Sequence, residues 1–159
     1  MKINTLLASL RRNQDGVAFV EMALSLPLLM LLCLGMIDVS RLVTSKIDLE
    51  LASQQTVDYI LAKRPTDGKT AKYVTEAASA AGVTKTQVQV TFWLECDGSA
   101  QTKVTGECVD GEESSRYAYI EISDNVETSF NWSKMASFFD GKERASTVLV
   151  VGDATVRYQ

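Results

Sequence analysis

Hydrophobicity is distributed very unevenly along this chain. From Val17 to Val39 it reads VAFVEMALSLPLLMLLCLGMIDV, and the only charges are Glu21 near one end and Asp38 near the other. As a helix this run covers about 34 Å at about 1.5 Å per residue, close to the hydrocarbon thickness of a bilayer. It predicts one transmembrane helix. The pattern then changes without stopping. Leu42, Val43, Ile47, Leu51, Val57, Ile60 and Leu61 recur mostly at steps of three and four, with Lys46, Glu50, Asp58 and Lys63 between or beside them. The break comes at Arg64-Pro65-Thr66-Asp67-Gly68. The first helix is thus predicted from about Gly16 to about Lys63, roughly 70 Å long, half in lipid and half protruding with an amphipathic face. Pro27 lies inside it and is expected to kink or locally loosen it by removing a backbone donor.

Thr70 to Ala80 is Ala-rich and helix-like, and Gly82 follows as a good C-terminal cap. Val88, Val90, Phe92 and Leu94 alternate with Gln87, Gln89, Thr91 and Trp93, the period of a half-buried strand. Ala118, Ile120 and Ile122 repeat that period against Tyr117, Tyr119 and Glu121. A last β-rich segment runs from Thr147 to Val151 and towards Tyr158. Before it, Asn131 to Asp140, with Trp132, Phe138 and Phe139, reads as a short helix or packed loop. The order predicts an α+β fold: a long N-terminal transmembrane helix extending into an exported domain, where a small antiparallel sheet packs on it. The expected divisions are a membrane segment at 17–39, the exported part of the helix at 40–64, and the α+β exported domain at 65–159.

Composition narrows the function. A chain of 159 residues, 46% hydrophobic, can bury a real core in one domain. The net charge of −4, with no long basic run, leaves no nucleic-acid footprint. With no histidine at all, a histidine-based triad, metal site or proton shuttle is excluded. Ser133 stands directly beside Lys134, the wrong spacing for a Ser-x-x-Lys hydrolase, so the chain reads as no enzyme. Lys2, Arg11 and Arg12 against Asp15 predict a cytoplasmic N-terminus and a translocated C-terminal part. The residues after the apolar core, Met36 to Arg41, make a poor signal-peptidase site, so the segment is expected to be retained.

Cys96 and Cys108 bracket a Gly-containing polar stretch between strand-like segments. A disulfide there would close a loop of about thirteen residues, worth on the order of 3 kcal/mol, and would fit an oxidising compartment. The other reading is two reduced thiols in a loop. Cys33, within the membrane helix, reads as a packing residue or as a crosslink between subunits. Glu95, Asp97, Glu107, Asp110, Glu112 and Glu113 supply oxygen ligands but lack the regular spacing of a calcium loop. They read as a solvated hairpin tip, and no metal or cofactor is expected. Asn131-Trp132-Ser133 matches a glycosylation sequon without further support. Trp93, Tyr117 and Tyr119 form either an exposed aromatic face for partners or the far side of the sheet under a loop.

Glu21 is the most informative residue, because a carboxylate at the edge of a membrane span is costly without a partner. It stands five residues after Gly16, behind a short basic leader, in Gly16-Val17-Ala18-Phe19-Val20-Glu21. This arrangement resembles the class III signal peptides of type IV pilins, which a prepilin peptidase cuts after the glycine. The resemblance implies a leader at 1–16, cleavage between Gly16 and Val17, and a new α-amine that pairs with Glu21 of a neighbouring subunit in low dielectric. The alternative for Glu21 is a snorkelling carboxylate, or an acid favoured at a helix N-terminus.

The longer string continues through Pro27, a Leu-rich span, Gly35, Asp38 and Arg41 to the polar Ala52, Gln54, Gln55 and Thr56. It resembles the TadE-like family, pilin-like proteins of tight-adherence (Flp-type) pilus systems, over roughly residues 11 to 62. The resemblance implies a minor pilin or pseudopilin that takes part in assembly, priming or capping of the pilus. Its implied partners are the prepilin peptidase, other pilin or pseudopilin subunits, the assembly platform and inner-membrane lipid. Its implied location is the bacterial inner membrane, with the C-terminal domain periplasmic or carried into an extracellular pilus. Met22 departs from the pattern, since many pilins have an aromatic residue after the glutamate. Asp38-Val39-Ser40-Arg41-Leu42 only half matches the metal motif of larger von Willebrand-type relatives and is set aside. The rival reading is an unprocessed single-pass membrane anchor with a periplasmic partner-binding domain.

Overall fold

The computed structural model describes residues 15–101, 104–142 and 146–159. The basic residues of the expected leader, Lys2, Arg11 and Arg12, lie outside the described residues. Helix α1 spans Asp15–Lys63 and runs through Pro27 as one element. α2 (Ala71–Ala81) follows, capped by Gly82 in the left-handed conformation at φ 68°, which glycine adopts without a Cβ penalty. A 3₁₀ turn (Lys85–Gln87) leads into β1 (Val88–Cys96), β2 (Ser99–Gln101) and β3 (Ser114–Glu127). Helix α3 (Trp132–Asp140) and strand β4 (Thr147–Arg157) complete the chain.

The four strands form one antiparallel sheet in the order β2-β1-β3-β4. The expected α+β class, a long apolar helix leading into a small antiparallel sheet, is what the structure has. Pairing of Val88 with Ile122 and of Ile122 with Gly152 fixes the register, and places Val88, Val90, Phe92, Ala118, Ile120, Ile122 and Val150 among the buried residues. Leu49, Ala52, Ser53, Thr56 and Ile60 are buried on α1, at the three- and four-residue steps of one helix face. The hydroxyls of Ser53 and Thr56 donate to the carbonyls of Glu50 (2.8 Å) and Ala52 (2.9 Å), so both enter the core satisfied. Tyr59, Tyr73, Phe92 and Tyr158 continue the core as successive tilted or edge-on ring contacts, 5.4 to 5.9 Å between centroids.

Two features differ from the sequence expectation. The polar stretch after Cys96 is a tight hairpin. Asp97 and Gly98 both take positive φ (46° and 77°), and the chain returns as β2. Asp-Gly is a strong two-residue hairpin signal, but the three residues of β2 are all exposed and carry no periodic pattern to announce a strand. β3 also extends well beyond the alternating stretch, because β4 supplies partners as far as Glu127.

Candidate functional site

The apolar half of α1 stands clear of the rest of the chain. Val17, Phe19, Leu24, Leu28 and Met30 are exposed, and none of the most apolar stretch is buried. Composition alone suits this surface to lipid or to other apolar helices. Gly16 is exposed, and among the described residues a Cβ added there meets nothing within 4 Å. Val17 is 64% exposed, Glu21 is exposed, and among the described residues no group of the same chain pairs with Glu21. Cys33 is a free, exposed thiol on the same helix.

The polar end of that surface is built differently. Asp38 is only 4% exposed, although it sits at the end of the apolar run. Its carboxylate accepts the backbone N–H groups of Ser129 (2.7 Å) and Phe130 (3.3 Å) and the indole N–H of Trp132 (2.6 Å). One turn earlier, a Cβ on Gly35 would lie 3.7 Å from the outer ring carbons of Trp132, so the indole rests on the glycine. Gly35 and Asp38, three residues apart on one helix face, thus seat the ring and accept its proton. Phe130 packs edge-on against Trp132 at 4.7 Å. Asn131 caps α3 by accepting the Lys134 N–H (3.0 Å), which accounts for it without invoking glycosylation. This junction fastens the loop between β3 and α3 to the end of the apolar helix.

Sequence reasoning missed the junction. Asp38 stands in the sequence as a charge at the end of the apolar run and Gly35 as part of a family string, and their partners lie more than ninety residues away. No local periodicity could have paired them.

Elsewhere, Cys96 and Cys108 are joined by a disulfide with Cα atoms 5.6 Å apart. Together with Glu112 these sulfurs form a group close enough to hold a metal, but the disulfide removes both thiolates as ligands. Three acidic side chains of this region serve local structure. Asp97 accepts the Glu113 N–H (2.9 Å), Glu112 accepts the Val109 N–H (3.2 Å), and Glu113 meets Arg157 at 2.9 Å. On the sheet face away from α1, Trp93 and Tyr117 stack at 5.3 Å and are half-buried. Trp93 donates to Glu95 (2.7 Å) and Tyr119 to Glu121 (2.8 Å).

Candidate nucleophiles are poorly activated. The hydrogen bond to Glu121 raises the Tyr119 phenol above its ordinary value, and burial raises that of Tyr158. Both rings are held as neutral phenols. An open groove of about 370 Å³ beside α1 is lined by Ser40, Arg41, Ser45, Asp48 and Asp124 among others, a lining of mixed charge.

Residues 16–58 match the family model described as TadE-like protein, the family that the N-terminal sequence resembles. The match associates the chain with the tight-adherence pilus apparatus. It takes in Gly35, Asp38 and most of the buried face of α1, and the whole sheet lies outside it. No curated protein and no solved structure matches the chain.

Proposed function

We propose that this TadE-like chain is a minor pilin or pseudopilin. It enters the inner membrane with its N-terminus in the cytoplasm and is cut between Gly16 and Val17 by a prepilin peptidase. It then joins other pilin or pseudopilin subunits and the assembly platform through the apolar half of α1, where it primes, joins or caps the pilus. The exported domain presents the interaction surface, and the chain itself performs no catalysis.

The observation that carries this reading is the state of the N-terminal helix. An uncovered apolar helix carries an uncovered carboxylate at Glu21 and has in its first turn a glycine, Gly16, that packs against nothing among the described residues. A membrane anchor needs the apolar run but neither Gly16 nor Glu21. A subunit that is cut and then assembled uses both: glycine leaves the backbone open to the protease, and the new Val17 amine finds a carboxylate in low dielectric. Pro27 deprives the Ala23 carbonyl of its helical partner, and we assign it the role of a soft point at which the helix adapts to its neighbours.

Intact mass and N-terminal sequence of the membrane-extracted protein test the proposal, with and without a co-expressed prepilin peptidase. The expected result is a chain that begins at Val17 only when the peptidase is present. A chain that begins at Met1 under both conditions leaves the unprocessed membrane anchor with a partner-binding domain.

A further inference from the structure

The apolar side chains that the folded domain leaves exposed are concentrated at one end. Beyond Leu61, the large exposed apolar residues among the described ones are Val109, Met135, Phe138, Phe139, Val148 and Leu149. Val109 belongs to the disulfide-bonded hairpin region. The other five lie on the two elements next to the Asp38 junction. Val148 and Leu149 open β4 and pair with Val126 and Asn125, just before Ser129 and Phe130, whose N–H groups Asp38 holds. Met135, Phe138 and Phe139 lie on α3, whose first residue, Trp132, rests on Gly35.

The level of α3 is therefore set by the chain itself. Trp132 touches α1 one turn inside the end of the Val17–Val39 run. Phe138 and Phe139 follow less than two turns later, about 10 Å along the helix axis. They are 87% and 81% exposed, and their rings meet edge-on at 5.6 Å. Two phenylalanines this exposed on a nine-residue helix have no role in the folded core. Among the described residues, exposed cations stand near the patch, Lys134 and Lys142 on and after α3 and Arg41 where α1 leaves the run, together with the exposed acids Asp140 and Glu127.

We propose that α3 is an interfacial helix that rests on the membrane. Met135, Phe138 and Phe139, joined by Val148 and Leu149, enter the headgroup and upper acyl region of the bilayer that holds Val17–Val39, and Lys134 and Lys142 meet anionic headgroups. The inference rests on the reading of Val17–Val39 as a membrane span. Lipid is the occupant because α3 starts at Trp132, whose ring rests on Gly35 inside that span, so the Trp132 anchor sets the patch near the water–hydrocarbon boundary. The exported domain is thereby held against the membrane at two points, the span and α3, and keeps one pose relative to the bilayer.

The test uses the full chain in vesicles of phosphatidylcholine with a minority of phosphatidylglycerol. Single-cysteine variants in a Cys33→Ser background, with the Cys96–Cys108 disulfide intact, carry an environment-sensitive fluorophore. The sites are Phe139→Cys on α3, Phe138→Cys as a second site on the same turn, Met30→Cys within the span, and Thr66→Cys beyond the far end of α1. The expected result is quenching of the labels at 138 and 139 by shallow lipid-borne nitroxide, with iodide quenching severalfold weaker than at 66, while the label at 30 is quenched by deep nitroxide alone. Iodide quenching at 138 and 139 equal to that at 66, with the label at 30 still lipid-quenched, overturns the inference and leaves the span intact. Shielding at 138 and 139 that grows with the protein-to-lipid ratio, without lipid quenching, also overturns it and assigns the face to a second copy. A label at 30 that no lipid quencher reaches removes the membrane reading itself, and this inference with it.

Discussion

Replacement of Gly152 by alanine tests the way the sheet is mounted on α1. A Cβ at this position would lie 2.5 Å from the Leu49 carbonyl carbon, 2.6 Å from its Cβ and 2.7 Å from the Glu50 nitrogen. Ordinary carbon contacts begin near 3.4 Å, so β4 and α1 must separate by about 1 Å, a gap that forfeits a quarter to a half of each affected dispersion contact. Rotamer changes cannot relieve the overlap, because two of the three atoms are backbone and the third remains in every residue except glycine. Overpacking of this kind costs about 1–3 kcal/mol, a large share of the roughly 5–15 kcal/mol that a domain commands. For a loss of about 2 kcal/mol and a urea slope of about 1.5 kcal/mol/M, the unfolding midpoint of the exported domain falls by about 1.3 M. The assay is urea unfolding of the full chain in micelles, followed by tryptophan fluorescence, with the slope unchanged. Leu49→Ala combined with Gly152→Ala does not restore the midpoint. A midpoint for Gly152→Ala equal to that of the parent would refute the close mounting of β4 on α1.

Three further expectations concern the site. Glu21→Ala leaves cleavage after Gly16 intact but lowers pilus yield, because the Val17 amine loses its partner; normal yield with correct processing would count against charge pairing. Asp38→Asn, with one acceptor oxygen where the carboxylate offers two, frees Trp132, so in a Trp93→Phe background its emission shifts to the red and limited proteolysis within 128–142 accelerates. Unchanged emission and cleavage would show that the junction does not depend on the carboxylate. Removal of the disulfide by Cys96→Ser with Cys108→Ser costs about 3 kcal/mol on chain-entropy grounds for a loop of this size, and equal urea midpoints for the two proteins would contradict that account.

How much of this molecule can be read from its sequence depends on how local each cause is. The length of α1, the capping of α2 by Gly82 and the inward faces of β1 and β3 all follow from repeats of two to four residues and from single residues with special backbone freedom. The apolar run, and the family string within it, are likewise contiguous. Strand β2 escaped because three exposed residues carry no period, although its Asp-Gly turn was in view.

Only the tertiary structure decided the rest. Asp38 read as a charge at a membrane edge until Ser129, Phe130 and Trp132 were brought to it, and Gly152 was one glycine in a β-rich run until α1 came to lie on it. Phe138 and Phe139 belonged to a segment that read as a short helix or packed loop, and only the folded chain leaves them exposed on α3. Local preferences act through neighbours a few residues apart, so periodicity encodes them. Long-range contacts depend on strand order and register, which many sequences with the same period could satisfy differently. For that reason the chain declared its helix and its alternating strands by itself, while the seating of the domain on the end of that helix had to come from the fold.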